Sequence, residues 1–391
     1  MRMGRGILLF PVMALAVLAS VVALLALAIG PAQAAVNLLP GFTKSRVASD
    51  LTKPMDMEFA PDGRLFVAEQ DGMVRIVQPN GTLATFLDIS AKVDASGERG
   101  LQSLTFDPNF ATNHYVYLEY TMEATGTTPV HNRIVRVTAN GDVAVAGSEE
   151  LIFRLNNQSS AYHMGGAIDF GKDGKLYIST GDNETSNNAQ KRTNLFGKML
   201  RINKNGTIPS SNPFYATASG KNRAIWALGL RNPFKFAVKP GTNTLFINDP
   251  GEHRWEEINR GKSGANYGWP VYEGPETDPK YTPPIVQYRH YRVGRKYNKT
   301  GCAITGGTFY NPTTVQFPSG YVGDYFFADL CNGWIRRYRP ATDKVTDRAF
   351  ARGLNHVVDL EVSKGGGLYY LSRPNSSPGS SSVSKIRYIG N

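Results

Sequence analysis

Cysteine is scarce in this chain, since only Cys302 and Cys331 occur among 391 residues. Their spacing does not fit a C-x-x-C clamp, which excludes that kind of metal site. An even count in an exported chain favours one disulfide. We place one cysteine before the first strand of the fifth repeat described below and the other after its third strand. Two free thiols are the alternative.

Long apolar runs are also rare, and the single one extends from Ile7 to Ile29. Nothing after Ala35 approaches the ~18 consecutive apolar residues of a membrane-spanning helix. Two arginines precede the run and Ala32-Gln33-Ala34 follows it, which is the pattern of a secretory signal. We therefore predict a signal peptide over residues 1–34 and a folded part outside the cytoplasm. The run is long enough to stay in the bilayer as an anchor, which is the alternative.

Clustered charge is missing as well. The formal net charge is +11, yet Lys and Arg are spread along the chain apart from one tract between Arg289 and Lys299. Nucleic-acid binding would need basic runs with interleaved stacking aromatics, and the sequence has none apart from this one tract. We therefore predict no nucleic-acid partner.

Turns and alternating strands are abundant, with 40 glycines and 11% aromatic residues. One phrase recurs along the chain: an alternating apolar strand, a turn such as Pro-Asp-Gly, a second strand, and a third strand ending in a pair such as Arg-Ile. Its six copies start at Met57, Leu104, Ile168, Phe236, Thr308 and Leu360. Period-2 alternation with turn residues between the runs is typical of antiparallel sheets.

Six copies of an antiparallel unit predict an all-β, six-bladed β-propeller that forms one domain over residues 35–391. The copies exceed the ~40–45 residues of a minimal four-stranded blade, so the surplus lies in loops. The segment Phe42–Leu51 precedes the first copy, and we predict that it completes the last blade and closes the ring from both termini. A cradle or open solenoid is the alternative.

Candidate catalytic residues lie between the strands, where propellers carry function. His163 precedes Met164-Gly165-Gly166 at the entrance to a strand, and a histidine can abstract a proton near neutral pH. Asp182 ends the adjacent strand of the same copy and can orient that imidazole. A structural histidine and an Asx turn are the alternatives.

Two further loops offer charge and oxygen ligands. Arg231 and Asn232 pair a fork-shaped cation with an amide, which suits a carboxylate-bearing or quinoid ligand. Gly251 and Glu252 occupy a turn whose carbonyl oxygens suit a hard cation such as calcium. An ion-paired arginine and an ordinary loop are the alternatives.

These loops also carry a family likeness. The sequence motifs that carry it are GERGL from Gly97, HMGGAIDFGKDGKLY from His163, STGDN from Ser179, LGLRNPF from Leu228 and GANYGWP from Gly264. From about Leu51 to Tyr388 the chain closely resembles the glucose/sorbosone dehydrogenase family, the soluble quinoprotein sugar dehydrogenases. The resemblance implies a six-bladed propeller that holds pyrroloquinoline quinone and calcium in the mouth of its channel.

The implied reaction oxidises the anomeric hydroxyl of a small-molecule aldose to a lactone, by hydride transfer to the quinone, and an external electron acceptor completes the cycle. Carried over by motif, His163 is the base that removes the hydroxyl proton. Glu98 and Asp182 line the substrate side.

The same resemblance assigns the cofactor contacts. Arg231 and Asn232 contact the quinone, and Gly251 and Glu252 offer backbone oxygens to the calcium. The family's quinone is a trianion, so cations near its carboxylates matter for binding.

The sequence departs from the family pattern at three cofactor positions. Well-characterised members have a lysine in the segment matching ADLCNGW and two arginines in the segment matching LNHVVDL. The residues found here are Cys331, His356 and Val358. Losing these cations weakens quinone binding, since each charge-assisted hydrogen bond contributes ~1.5–3 kcal/mol. Basic residues elsewhere that can compensate are Arg292, Arg295 and Lys296.

Two other functions stay open on these grounds. One is a propeller that binds carbohydrate or a protein partner without turnover, as in the hedgehog-interacting proteins. The other is a metal-dependent, lactonase-like hydrolase.

Overall fold

A computed structural model of the chain describes residues 36–275, 277–290, 299–374 and 380–390. The predicted signal segment and the three compensating candidates, Arg292, Arg295 and Lys296, lie outside the described residues. No helix in the described part is long and apolar enough to cross a membrane.

Six antiparallel sheets follow one another along the chain, and each sheet is a blade. The strands of blade 1 are Pro54–Phe59, Leu65–Glu69, Met73–Val77 and Leu83–Asp88. Those of blade 2 are Leu101–Phe106, Tyr115–Met122, His131–Asn140, Val143–Ala144 and Glu150–Asn157. Those of blade 3 are Gly165–Phe170, Lys175–Thr180, Lys198–Asn203 and Ile225–Leu228.

The second half of the ring is built in the same way. Blade 4 consists of Lys235–Val238, Leu245–Asp249, Trp255–Arg260 and Val286–Arg289. Blade 5 consists of Ile304–Phe309, Tyr325–Asp329, Trp334–Arg339, Lys344–Val345, Ala351–Arg352 and Asn37–Leu38. Blade 6 consists of Val357–Val362, Leu368–Ser372, Ser381–Tyr388 and Phe42–Leu51. Within the described residues, helix is limited to Phe110–Asn113 and the 3₁₀ turns Ser90–Lys92, Ser186–Gln190, Gly220–Ala224 and Ser319–Tyr321.

The blades form a closed ring. The first strand of each blade contacts the first strands of both neighbouring blades, and blade 6 contacts blade 1 in the same way. The start of every predicted repeat copy falls inside one of these first strands. The six-bladed propeller is therefore confirmed, and the open solenoid is wrong.

The ring is closed by strands from both ends of the chain. Phe42–Leu51 pairs antiparallel with Ser381–Tyr388, with Phe42 opposite Tyr388. The predicted closure is confirmed. This pairing provides hydrogen-bond partners for the backbone of Ser381–Tyr388, which would otherwise form an unpaired sheet edge.

Hydrophobic clusters between neighbouring blades hold the ring together. Between blades 5 and 6, Phe42 packs edge-on against Phe317 and Phe350 with ring centroids 4.8 Å apart in both pairs. Burying a large apolar side chain contributes roughly 1.5–3 kcal/mol. Packing on both faces of every blade therefore fixes where the loops at each end of the ring lie.

The two cysteines form a disulfide in blade 5, with Cα atoms 5.8 Å apart. Cys302 precedes the first strand of the blade, as expected. Cys331 follows the second strand, Tyr325–Asp329, and precedes the third, Trp334–Arg339. The expectation that it follows the third strand was wrong, because the segment around Asn332 is the hairpin turn between these two strands.

Candidate functional site

A cavity of about 510 Å³ opens at one end of the ring. In an antiparallel blade, the start of the first strand and the end of the second lie at the same edge. Loops at these two places therefore converge from all six blades. Six predicted site residues line the cavity, namely Glu98, His163, Arg231, Asn232, Gly251 and Glu252.

The opposite end of the channel differs in chemistry. It holds a cavity of about 270 Å³ lined by residues at the far ends of the first strands. Lys235 forms salt bridges there with Asp56 and, at 3.5 Å, with Asp359. Burial raises the pKa of Asp169 and of Asp359 to about 7. None of the predicted site residues lies in this second cavity, so the first one is the candidate site.

His163 forms a close pair with a buried carboxylate. Its Nδ1 lies 2.8 Å from Asp182 Oδ1, and the side chains are 16% and 1% exposed. With its proton on Nδ1, the imidazole donates to the carboxylate and leaves Nε2 as a proton acceptor. The arrangement therefore suits a general base on a cavity wall.

The backbone beside this pair needs glycine. His163 has a φ of 56°, and its carbonyl oxygen approaches the strand end closely. A Cβ on Gly181 would lie only 2.0 Å from that oxygen. Gly181, the glycine of the STGDN motif, thus allows His163 and Asp182 to lie side by side.

Asp182 is held from two further sides. Its Oδ2 accepts a hydrogen bond of 2.8 Å from Trp269 Nε1, and its Oδ1 accepts one of 2.8 Å from the backbone N–H of Glu184. Asp182 contacts the imidazole, as the sequence suggested, and it is not among the residues that line the cavity. Its role on the substrate side stays a prediction. The motif GANYGWP was recognised in the sequence, but Trp269 within it was not identified as a site residue.

Glu98 and Asn232 join loops of three blades. Glu98 Oε2 accepts hydrogen bonds from the backbone N–H of His163 at 2.9 Å and from Asn232 Nδ2 at 3.3 Å. Asn232 Oδ1 in turn accepts one from Gly165 N at 2.9 Å. These bonds position the base relative to the Arg231 loop.

Asp249 holds the Arg231 loop in place through two hydrogen bonds. Its two carboxylate oxygens accept hydrogen bonds from the backbone N–H of Asn232 at 2.7 Å and of Arg231 at 3.0 Å. Burial raises the pKa of Asp249 to about 7, against the opposing effect of these two bonds. Asp249 was missed in the sequence because its role depends on contacts with another loop.

The guanidinium of Arg231 is only partly engaged. Nη1 donates to the carbonyl of Pro250 at 3.2 Å, and the group lies 5.7 Å from the ring centroid of Trp269. Its Nε is buried and has no hydrogen-bond partner among the described residues. A buried N–H group without a hydrogen-bond partner destabilises the fold, unless a ligand accepts a hydrogen bond from it.

Two more basic residues line the cavity and were missed in the sequence. His290 Nε2 lies 2.5 Å from Glu256 Oε1, and this pairing raises the pKa of His290 although burial alone would lower it. Arg373 follows the second strand of blade 6, and its Nη2 donates to Gln70 Oε1 at 2.5 Å. Each of them directly follows a strand that ends at the cavity, the fourth strand of blade 4 for His290 and the second strand of blade 6 for Arg373. Counting the strands within each repeat would therefore have identified both positions from the sequence.

The Gly251 loop is fixed by one carboxylate oxygen. Glu273 Oε1 accepts hydrogen bonds of 2.8–3.0 Å from the backbone N–H groups of four consecutive residues, Glu252, His253, Arg254 and Trp255. These bonds lower the pKa of Glu273, against the effect of burial. In the described part of the chain, no group of three His, Cys, Asp or Glu side chains can hold a metal. A cation here would therefore depend on main-chain oxygens.

Comparison with known proteins decides the family. The family model for glucose/sorbosone dehydrogenase matches residues 51–378. The chain belongs to the glucose/sorbosone dehydrogenase family. The motif resemblance is thereby confirmed.

Relatives within the glucose/sorbosone dehydrogenase family include sugar dehydrogenases. The chain is 29% identical over 340 residues to aldose sugar dehydrogenase YliI of Escherichia coli, covering 83% of this chain and 88% of that one. It is 30% identical over 278 residues to quinoprotein glucose dehydrogenase B of Acinetobacter calcoaceticus, covering 64% of this chain and 57% of the relative. The crystal structure of the soluble aldose sugar dehydrogenase from E. coli in its apo form superposes with a TM-score of 0.76 at 26% identity, over 89% of this chain and 99% of the other.

Proposed function

We propose that the chain is an exported, pyrroloquinoline-quinone-dependent aldose dehydrogenase that oxidises the anomeric hydroxyl of a sugar to its lactone. The observation that carries the proposal is the His163–Asp182 pair on the wall of a cavity that also contains Arg231 and Asn232. An imidazole beside a buried carboxylate supplies the base. The cavity supplies cationic and amide donors for a cofactor.

In this proposal His163 Nε2 removes the proton of the anomeric hydroxyl. Asp182 holds the imidazole in the required tautomer and stabilises the imidazolium that forms. A positioned general base contributes about 10² to 10⁴ in rate. Glu98 orients the sugar from the neighbouring loop, and the sugar's electrons leave through an external acceptor.

The residues present fit the quinone. The buried Nε of Arg231 lacks an acceptor among the described residues, and a carboxylate or quinone oxygen would provide one. Asn232 lies in the same cavity beside it. When bound, the quinone supplies the hydride acceptor, and the protein supplies placement and electrostatics.

The main-chain oxygens of Gly251 and Glu252 are the proposed calcium ligands. Calcium accepts backbone carbonyl oxygens, and the four hydrogen bonds to Glu273 keep this loop in one conformation. When bound, the cation would polarise the quinone oxygen nearest to it.

The proposal is tested by reconstitution. Purified apo-protein is supplied with calcium and titrated with pyrroloquinoline quinone by absorbance, and reduction of a dye is then followed with aldoses. His163→Ala should lower turnover about 10² to 10⁴-fold and leave quinone affinity nearly unchanged. His114→Ala is the matched control, because His114 lies outside the cavity and has the same φ of 56°.

The outcome can also refute the proposal. If neither calcium nor quinone binds at millimolar concentration, the chain is not a quinone-dependent dehydrogenase. Binding of sugars or of a protein partner without dye reduction would then favour the non-catalytic propeller.

Export is part of the proposal. The arginine-flanked apolar run before Ala32-Gln33-Ala34 supports it, as does a disulfide, which persists in oxidising compartments. The exported protein should begin at Ala35 or its neighbour, as measured by intact mass. Retention of residues 1–34 would favour the membrane anchor.

A further inference from the structure

The wall of the cavity contains a second arginine, Arg373, in addition to Arg231. Arg373 lies on the cavity wall in blade 6, and none of the salt bridges among the described residues includes it. Its side-chain hydrogen-bond partners among the described residues are neutral, namely Gln70 Oε1 and the sulfur of Met55. Burial lowers the pKa of this guanidinium, while Asp71 and Glu98 oppose that effect from a distance.

An arginine in such a place stays charged, because its ordinary pKa is far above neutrality. Arg373 is partly buried, and a charge that is withdrawn from water without an ion partner carries a desolvation penalty. A ligand carboxylate on the guanidinium would remove that penalty. The wall thus favours an anion at Arg373.

The position of Arg373 is fixed before any ligand arrives. Gln70 Oε1 accepts a hydrogen bond from Nη2 of Arg373. Gln70 is itself held in place, since its Nε2 donates to the carbonyls of Gly97 at 2.8 Å and Arg99 at 2.6 Å. The same hydrogen-bonded loop contains Glu98, whose carboxylate accepts a hydrogen bond from the backbone N–H of His163. A fixed guanidinium loses little freedom on binding, which strengthens the contact.

Arg373 also lies beside a position that lacks a cation in this chain. Its backbone N–H donates to the carbonyl of His356 at 2.9 Å, and its neighbour Ser372 pairs across the strands with Val357. Val358, two residues beyond His356, lines the same cavity. In blade 6 the arginine therefore lies at the end of the second strand, as Arg373. The adjacent start of the first strand, where family members have arginines, has His356 and Val358 instead.

We propose that Arg373 binds a carboxylate of the quinone cofactor, so that Arg231 and Arg373 hold the anion from blades 4 and 6. The inference rests on the proposed function, because it assumes that the cavity takes this cofactor. A carboxylate could also come from an acidic sugar, so the test must separate the two sources.

The test measures binding directly. Full-length protein with calcium is titrated with pyrroloquinoline quinone in the absence of sugar, and separately with glucuronate in the absence of quinone. Arg373→Met should weaken quinone binding about 10-fold or more, the effect of one charge-assisted hydrogen bond. Arg373→Lys should fall between wild type and Arg373→Met, because it keeps the charge and loses the fork. Arg387→Met is the matched control, since Arg387 is exposed on the next strand of the same blade, and it should change binding less than about 2-fold.

Stability gives a second readout. Without ligand, Arg373→Met should unfold at the same temperature as wild type or higher, because it removes a partly buried charge that has no salt bridge among the described residues. Quinone should then raise the unfolding temperature of wild type more than that of the variant. If Arg373→Met does not fold, Arg373→Gln replaces it, because glutamine keeps a donor for Gln70 without the charge.

Each failure points to a different step. If wild type and Arg373→Met bind quinone equally, the inference is overturned and the proposed function stands. If Arg373→Met loses affinity for glucuronate only, the anion is an acidic sugar and the cofactor role of Arg373 is overturned. If wild type binds no quinone, the proposed function and this inference both fall.

Discussion

The hydrogen bond between Trp269 and Asp182 can be removed by one substitution. Trp269→Phe deletes the indole N–H that lies 2.8 Å from Asp182 Oδ2 and keeps an aromatic ring in the same place. The carboxylate is 1% exposed, so water cannot easily replace the lost donor. It retains the bonds from His163 and from the backbone of Glu184.

The expected loss follows from the charge on the acceptor. A hydrogen bond to a buried charged group contributes about 1.5–3 kcal/mol, and the smaller ring adds up to about 1 kcal/mol of lost packing. We therefore expect the free energy of unfolding to fall by about 2–4 kcal/mol, measured by urea denaturation. Turnover should also fall, by about 10-fold if 1.4 kcal/mol of this loss reaches the transition state through a less well oriented His163.

Trp226→Phe is the matched control. Trp226 is as buried as Trp269, at 8% exposure, and its indole packs edge-on against Tyr177. It should lose only the packing contribution of about 1 kcal/mol and none of the turnover. Equal losses in the two variants would refute the reasoning. A double-mutant cycle with Asp182→Asn should show coupling, since the two residues are in contact.

Three further predictions concern stability and metal binding. Replacing Cys302 and Cys331 by serine should lower the free energy of unfolding by about 3–4 kcal/mol, and alkylation of denatured, unreduced wild type should find no free thiol. Burial raises the pKa of Glu119 to about 8, so the folded state holds a proton that the unfolded state releases, and stability falls as pH rises from about 4.5 to 8. Glu119→Gln should therefore be more stable than wild type at pH 8 by about 4 kcal/mol and equal to it at pH 4, and equal curves at both would contradict this. Glu273→Gln should weaken calcium binding about 10-fold by calorimetry, because the bonds that order the Gly251 loop lose a charged acceptor, and unchanged affinity would place the cation elsewhere.

Much of the fold could be predicted because its signals are local. Period-2 alternation in segments such as Ile168–Phe170 determines a strand wherever it lies, and a turn such as Pro61-Asp62-Gly63 determines a hairpin. Repetition then determines the number of blades. The error at Cys331 arose where one apolar stretch, YFFADLCNGWIRRY, contains two strands separated by a short turn.

The candidate site was predictable to the extent that position along a strand decides it. Residues before a first strand or after a second strand reach the same end of the ring, which is why Glu98, His163 and Arg231 share one cavity. The sequence also determined the family, because the order of its loop words is specific.

Only the tertiary structure decided the partners. Trp269 reaches Asp182 across 87 residues of chain, and Arg373 reaches Gln70 across 303. Such distances depend on how the blades pack and close, which no local pattern encodes. For the same reason the sequence located the missing cations at His356 and Val358, while the arginine beside them became visible only once the second strand of blade 6 lay against the first.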